Sequence, residues 1–100
     1  MGRTLGGFLR LRGTIPNVAV GASEINLTTT YPQISGQPIA VEVISGDALI
    51  NAGNDAASGN MIGAGDFRQF NGGGVSENSD LRIIQDGSPA VIQIWIYAGV

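Results

Sequence analysis

The segment LRIIQDGSPAVIQIWIY, residues 81–97, constrains the fold more than any other part of the chain. Its second half alternates as a strand does: Val91, Gln93, Trp95 and Tyr97 point one way and Ile92, Ile94, Ile96 and Ala98 the other. Both sides are largely apolar and uncharged. On an open sheet edge such a strand would template aggregation, so it belongs in the middle of a sheet or beneath a partner subunit. Asp86-Gly87 is a type I′ turn signal, and the spacing predicts a hairpin of 81–85 with the C-terminal strand, widened by Ser88-Pro89. Trp95 and Tyr97 share one strand face and read either as core or as an aromatic platform for a sugar or a subunit.

The rest of the chain supports an all-β reading. It has 16 Gly and four Pro, and no stretch keeps apolar residues at i, i+3, i+4 and i+7 free of them. FLRLRG (8–13) alternates, with Phe8, Arg10 and Arg12 opposite Leu9 and Leu11. NVAVGASEINLT (17–28) holds two short alternations broken by Gly21. PIAVEVIS (38–45) sets Ile39, Val41 and Val43 against Ala40, Glu42 and Ile44, with Glu42 marking the wetter face. GDALIN (46–51) adds a short strand. Six to eight strands with turn chemistry every ten or so residues fit a single-domain β-sandwich or jelly-roll-like barrel spanning 1–100. No repeat of 20 to 50 residues is present, which removes solenoids and propellers.

Between these strands lies NAGNDAASGNMIGAGDFRQFNGGG, residues 51–74, in which 16 of 24 positions are Gly, Ala, Asn or Ser. It reads as a long Gly/Asn-rich loop or arm. Met61, Ile62, Phe67 and Phe70 are too apolar for a solvated linker, so they are expected to anchor the arm against a neighbouring subunit.

Composition removes many chemistries. The chain contains no Cys, His or Lys, so thiolate and imidazole metal sites, a P-loop lysine and the usual bases for a serine nucleophile are all missing. GNMIGAGDF (59–67) lacks phosphate-loop spacing, and Asp55, Glu77 and Asp80 lack the alternation of a calcium loop, although a calcium site built from separate loops stays open. Asp47, Asp55, Asp66, Glu77, Asp80 and Asp86 fall in expected loops with no pattern that selects a glycosidase pair. The expectation is a protein that is not an enzyme and holds no cofactor or metal. Asn26-Leu27-Thr28 matches a glycosylation sequon, but Met1 to Leu5 open no secretory signal, which points to a chain made and kept in a cytoplasm. No apolar run is long enough to span a bilayer as a helix.

Charged residues make up 13% of the chain, about half the usual share of roughly 25%. Net charge is −3, which argues against a nucleic-acid backbone as partner. Arg3, Arg10 and Arg12 stand alone among the first 23 residues, while the remainder carries two Arg and eight acids. These three arginines are either a solvated face or an interface to an acidic surface on another copy or another subunit.

In size, in the uncharged strands IAVEVIS and AVIQIWIYAGV, and in its turn-rich middle, the chain resembles the small all-β decoration or cement proteins of tailed-bacteriophage capsids. The resemblance implies a homo-oligomer, a trimer by preference, that sits on the capsid exterior of the virion. There it would bridge major capsid protein subunits and stabilise the shell, after synthesis in the host cytoplasm. The same texture is similar to carbohydrate- or receptor-binding modules of phage tails and fibres.

Overall fold

A computed structural model describes residues 4–5, 9–70 and 80–99. In chain order its strands are β1 (Thr4–Leu5), β2 (Leu9–Val20), β3 (Ile25–Asn26), β4 (Ile39–Ser45), β5 (Asp47–Ala52), β6 (Asn60–Gly63), β7 (Phe67–Phe70), β8 (Leu81–Gln85) and β9 (Ala90–Gly99). One α-helical turn, α1 (Leu27–Thr30), follows β3, and short 3-10 turns occupy Pro32–Ile34 and Ala56–Ser58. The strands form two antiparallel sheets, β1-β2-β9-β4-β7 and β3-β8-β5-β6, packed as a β-sandwich.

Nested pairing organises the sandwich. β5 pairs β6, β4 pairs β7, β3 pairs β8 and β2 pairs β9, all antiparallel. This is one long hairpin of paired strands rolled up so that successive pairs fall in opposite sheets, the winding of a jelly roll. The tip of that hairpin is the 53–59 connection between β5 and β6. The first part of the Gly/Asn-rich tract therefore turns the roll around, and its second part supplies two edge strands, β6 and β7.

The chain switches sheets where small residues permit it. β4 passes to β5 through Gly46 alone, at φ +74°, and a Cβ on Gly46 would collide with the carbonyl of Pro89. The corners then satisfy one another's backbone groups: Gln85 N–H donates to Gly21 (2.9 Å), Asp86 N–H to Asp47 (2.9 Å), Val43 N–H to Asp66 (3.0 Å) and Gly65 N–H to Val43 (2.8 Å).

Two expectations are corrected by this winding. Residues 81–85 and 90–97 do not form a hairpin with each other, because β8 lies between β3 and β5 while β9 lies between β2 and β4 in the other sheet. Apart from a single Asp86–Ser88 bridge, the Asp86-Gly87 turn is a corner between sheets. β9, apolar on both faces, gains by this route a neighbour on each edge, β2 along Ala90–Gly99 and β4 along Val91–Ile96. The second correction concerns 51–74, which over its described residues is strand and tight turn rather than one extended loop or arm; residues 71–74 lie outside the described residues.

Alternation decides what fills the interior. Ile39, Val41 and Val43 of β4, Ile92 and Ile94 of β9, Val18 and Val20 of β2, and Ala48, Ile50, Leu81 and Ile83 of the opposite sheet make one apolar cluster. Each fully buried aliphatic side chain contributes about 1.5–3 kcal/mol relative to exposure.

Candidate functional site

The outer faces of the two sheets carry what the core leaves over. On the five-stranded sheet the registers Glu42 with Phe67 and with Gln93, and Ala40 with Gln69 and with Trp95, define two adjacent rows. Thr14 of β2 extends the second row beyond Trp95. Phe67 is 61% exposed and Ile44, next along β4, is 48% exposed. Glu42 is the single charged side chain in these rows. Its Oε1 accepts from the Trp95 indole N–H at 3.0 Å, which holds the half-buried ring across β4. Tyr97 is buried but stands outside the main core cluster, so the two aromatic residues of β9 have different surroundings.

At the rim of this face β2 carries a bulge. The register jumps from Leu11–Tyr97 to Gly13–Ile96, leaving Arg12 as the extra, exposed residue. Arg10 is also exposed and pairs with Ala98. Arg3 lies outside the described residues.

The four-stranded sheet has its own apolar row, Met61–Leu49–Ile84, with Met61 57% exposed on the edge strand and Leu49 and Ile84 half-buried. The four anchors expected along the Gly/Asn-rich tract are thus divided by strand alternation. Met61 and Phe67 point outward on opposite sides of the sandwich, whereas Ile62 and Phe70 are buried members of the core and offer nothing to a partner. Ile44 was not singled out from sequence; its place one step beyond Glu42 on the wetter face of β4 was the available signal.

The acidic residues near the roll's tip gather on an internal cation. Arg82 donates from Nε to Asp80 Oδ1 (3.0 Å) and from Nη2 to Asp80 Oδ2 (3.3 Å), and its Nη1 lies 3.5 Å from Glu24 and 3.8 Å from Asp55. Glu24 Oε1 in turn accepts from the Ala56 N–H (2.6 Å) at the tip. Asn26 donates to Asp80 (2.7 Å) while its Oδ1 caps α1 through the Thr29 N–H (3.0 Å), so the sequon asparagine is committed to the fold. The side-chain bond from Arg82, with its positive charge and the Asn26 bond, holds Asp80 below its ordinary value of 3.8, and Arg82 is raised in return. The cluster ties β3, α1, the tip and β8 together. Among the described residues no three His, Cys, Asp or Glu side chains are placed to hold a metal ion. Glu77 lies outside the described residues.

Chemically, the outer faces can stack, pack and accept hydrogen bonds. Among the described residues no helix is long and apolar enough to cross a membrane. No family model matches the chain. No curated protein matches it either. Among solved structures, a Ralstonia eutropha JMP134 protein provisionally named a mannose-6-phosphate isomerase is similar at 17% sequence identity, with a TM-score of 0.47 over 99% of this chain and 82% of that chain.

Proposed function

We propose that this protein is a structural virion component, a small jelly-roll subunit that decorates and stabilises a tailed-phage capsid by bridging major capsid protein subunits as a homo-oligomer. One observation carries the reading: both broad faces of the sandwich bear exposed large apolar side chains, Ile44 and Phe67 on one and Met61 on the other. Contiguous apolar rows mark interaction surfaces, and Met61 with half-buried Leu49 and Ile84 on one face and Ile44 and Phe67 on the other suit a subunit that is covered twice, once by its own kind and once by a shell. In this reading it is not an enzyme, holds no cofactor and binds neither nucleic acid nor membrane. It acts on the capsid exterior after synthesis in the host cytoplasm.

The test is co-sedimentation of purified protein with assembled capsids that lack it. Wild type should pellet with the shells at a fixed stoichiometry, and Met61→Lys, at an exposed site, should lower occupancy at least about tenfold with an unchanged circular dichroism spectrum. A second reading, a carbohydrate- or receptor-binding module of a phage tail or fibre, is favoured by Phe67, Trp95 and Glu42 sharing one face. Binding to a glycan array by protein that ignores capsids would replace the first reading with the second.

A further inference from the structure

We propose that the outer face of the four-stranded sheet is the surface that meets the shell, and that its partner there is a basic protein surface. Apolar side chains of that partner cover Met61, Leu49 and Ile84, and Lys or Arg stands on both sides of them. The proposal rests on the capsid reading above and names the chemistry of its partner.

The pairing of β6, β5 and β8 builds the face in three rows. In the middle row Met61, Leu49 and Ile84 lie side by side, spanning two strand spacings or about 10 Å. On one side of it, about 7 Å along the strands, Asp47 stands opposite Gly63. A Cβ on Gly63 would lie 3.3 Å from Asp47 Oδ1 and 4.0 Å from Asp66 Oδ2, so both carboxylates close in on one point. Asp86 sits beside Asp47 on β8's side and donates its N–H to the Asp47 carbonyl (2.9 Å). On the other side of the apolar row, as far again, Asn51 pairs with Arg82, around which Glu24, Asp55 and Asp80 gather.

Charge is thereby divided between the sheets. Six of the eight acids border this face, and one arginine, Arg82, answers them. The strands of the other sheet carry Arg10, Arg12 and Arg68 against Glu42. Among the described residues every ion pair belongs to Arg82, which leaves Asp47, Asp66 and Asp86 crowded without a cation. Such self-repulsion raises the energy of the free protein, and a basic partner relieves it. The same charges turn other occupants away. A second copy docking by this face would oppose acids to acids, and a nucleic acid or anionic lipid surface would be repelled. A single metal ion could not serve both acidic groups, because the rows that hold them are about 14 Å apart. Cations on a protein surface can be spaced that far, and an apolar strip between them would cover the middle row, as in interfaces with an apolar centre and a polar rim.

Co-sedimentation of the full chain with shells that lack it, repeated across salt, tests the proposal. Wild-type affinity should fall at least about tenfold between about 0.1 M and about 1 M salt, as the screening length shortens from about 10 Å to about 3 Å. Asp66→Lys, at an exposed position, and the double variant Asp47→Asn/Asp86→Asn should each weaken shell binding at least about tenfold at the lower salt. Their melting temperatures should stay level or rise, because the crowding of acids is relieved. A melting temperature lowered in both would make these carboxylates structural and overturn the proposal. Shell binding indifferent to salt, or variants that bind as wild type does, would overturn it and leave the capsid reading standing, whereas protein that ignores shells at every salt concentration would overturn both. Wild-type oligomers that form without shells, dissociate at about 1 M salt and are broken by Asp66→Lys in sedimentation equilibrium would give the face to a second copy and overturn it too.

Discussion

Asp80 accepts from Arg82 and Asn26 together, so its ionised form is favoured in the folded chain over the unfolded one. The sign follows from the lowered value: the stabilisation is present in full above the ordinary 3.8 and is lost as pH falls through the depressed folded value. Melting temperature should therefore decline below about pH 4, and Asp80→Asn should flatten that acid limb while lowering the melting point modestly at neutral pH. A melting series across pH checks both; an equally steep limb in the variant would remove Asp80 as a cause. Gly46 fixes a different constraint. Its left-handed φ and the Pro89 carbonyl leave no room for a side chain, so Gly46→Ala should cost about 1–3 kcal/mol. Buried residues obey packing instead: Ile83→Ala, between the sheets, should cost about 2–5 kcal/mol in urea unfolding.

Edges carry the risk at the scale of elements. Among the described residues β7 is an edge strand of four, and its Arg68, paired with the inward-facing Val41, stands half-buried on the side toward the core. An inward-pointing charge on a short edge strand discourages another chain from adding there. Arg68→Val should speed aggregation at unchanged or higher thermal stability, read by light scattering at constant protein concentration; a variant as soluble as wild type would deny Arg68 that role. Among the described residues the other edge is β2, covered by β1 at Leu9 and Arg10. Beyond that it is blunted by Pro16, which offers no donor, by Asn17 at φ 56°, and by two register shifts. These elements also mark how far the sequence could be read. β4, β5 and β9 are legible because period-two alternation reports an apolar face directly, whereas 8–13 and 17–28 read as separate segments and prove to share one strand, β2, whose two register shifts break the alternation. The 81–97 hairpin was misread because a turn signal specifies a reversal, whereas the choice between pairing and changing sheets rests on partners far along the chain. The 51–74 tract was misread because β6 and β7 are too short for composition to register them. Within it Met61 and Phe67 are exposed and Ile62 and Phe70 buried, a division invisible in the sequence because apolarity alone does not tell which face a residue takes.

Nested pairing gives the whole molecule an order of closure. Joining Ile50 to Asn60 closes ten residues, whereas joining Val20 to Ala90 closes seventy. Started from an unpaired chain, the longer closure costs about 2 kcal/mol more in loop entropy. If β5–β6 and then β4–β7 form first, β9 meets a surface already assembled and most of that cost is avoided. The expected transition state therefore contains the roll's tip and its first pairs, with β2–β9 docking late. Folding should take milliseconds to seconds, as for other chains dominated by distant pairings, with Trp95 on β9 as the fluorescent reporter of the late step. Ile62→Val and Ile50→Val should slow folding, while Val18→Ala and Ile92→Val should chiefly speed unfolding. Stopped-flow folding and unfolding rates for these four variants decide the order, provided each loses more than about 0.6 kcal/mol so that its partition is measurable. Slower folding in the β2–β9 variants and not in the tip variants would mean that the roll starts from its open end.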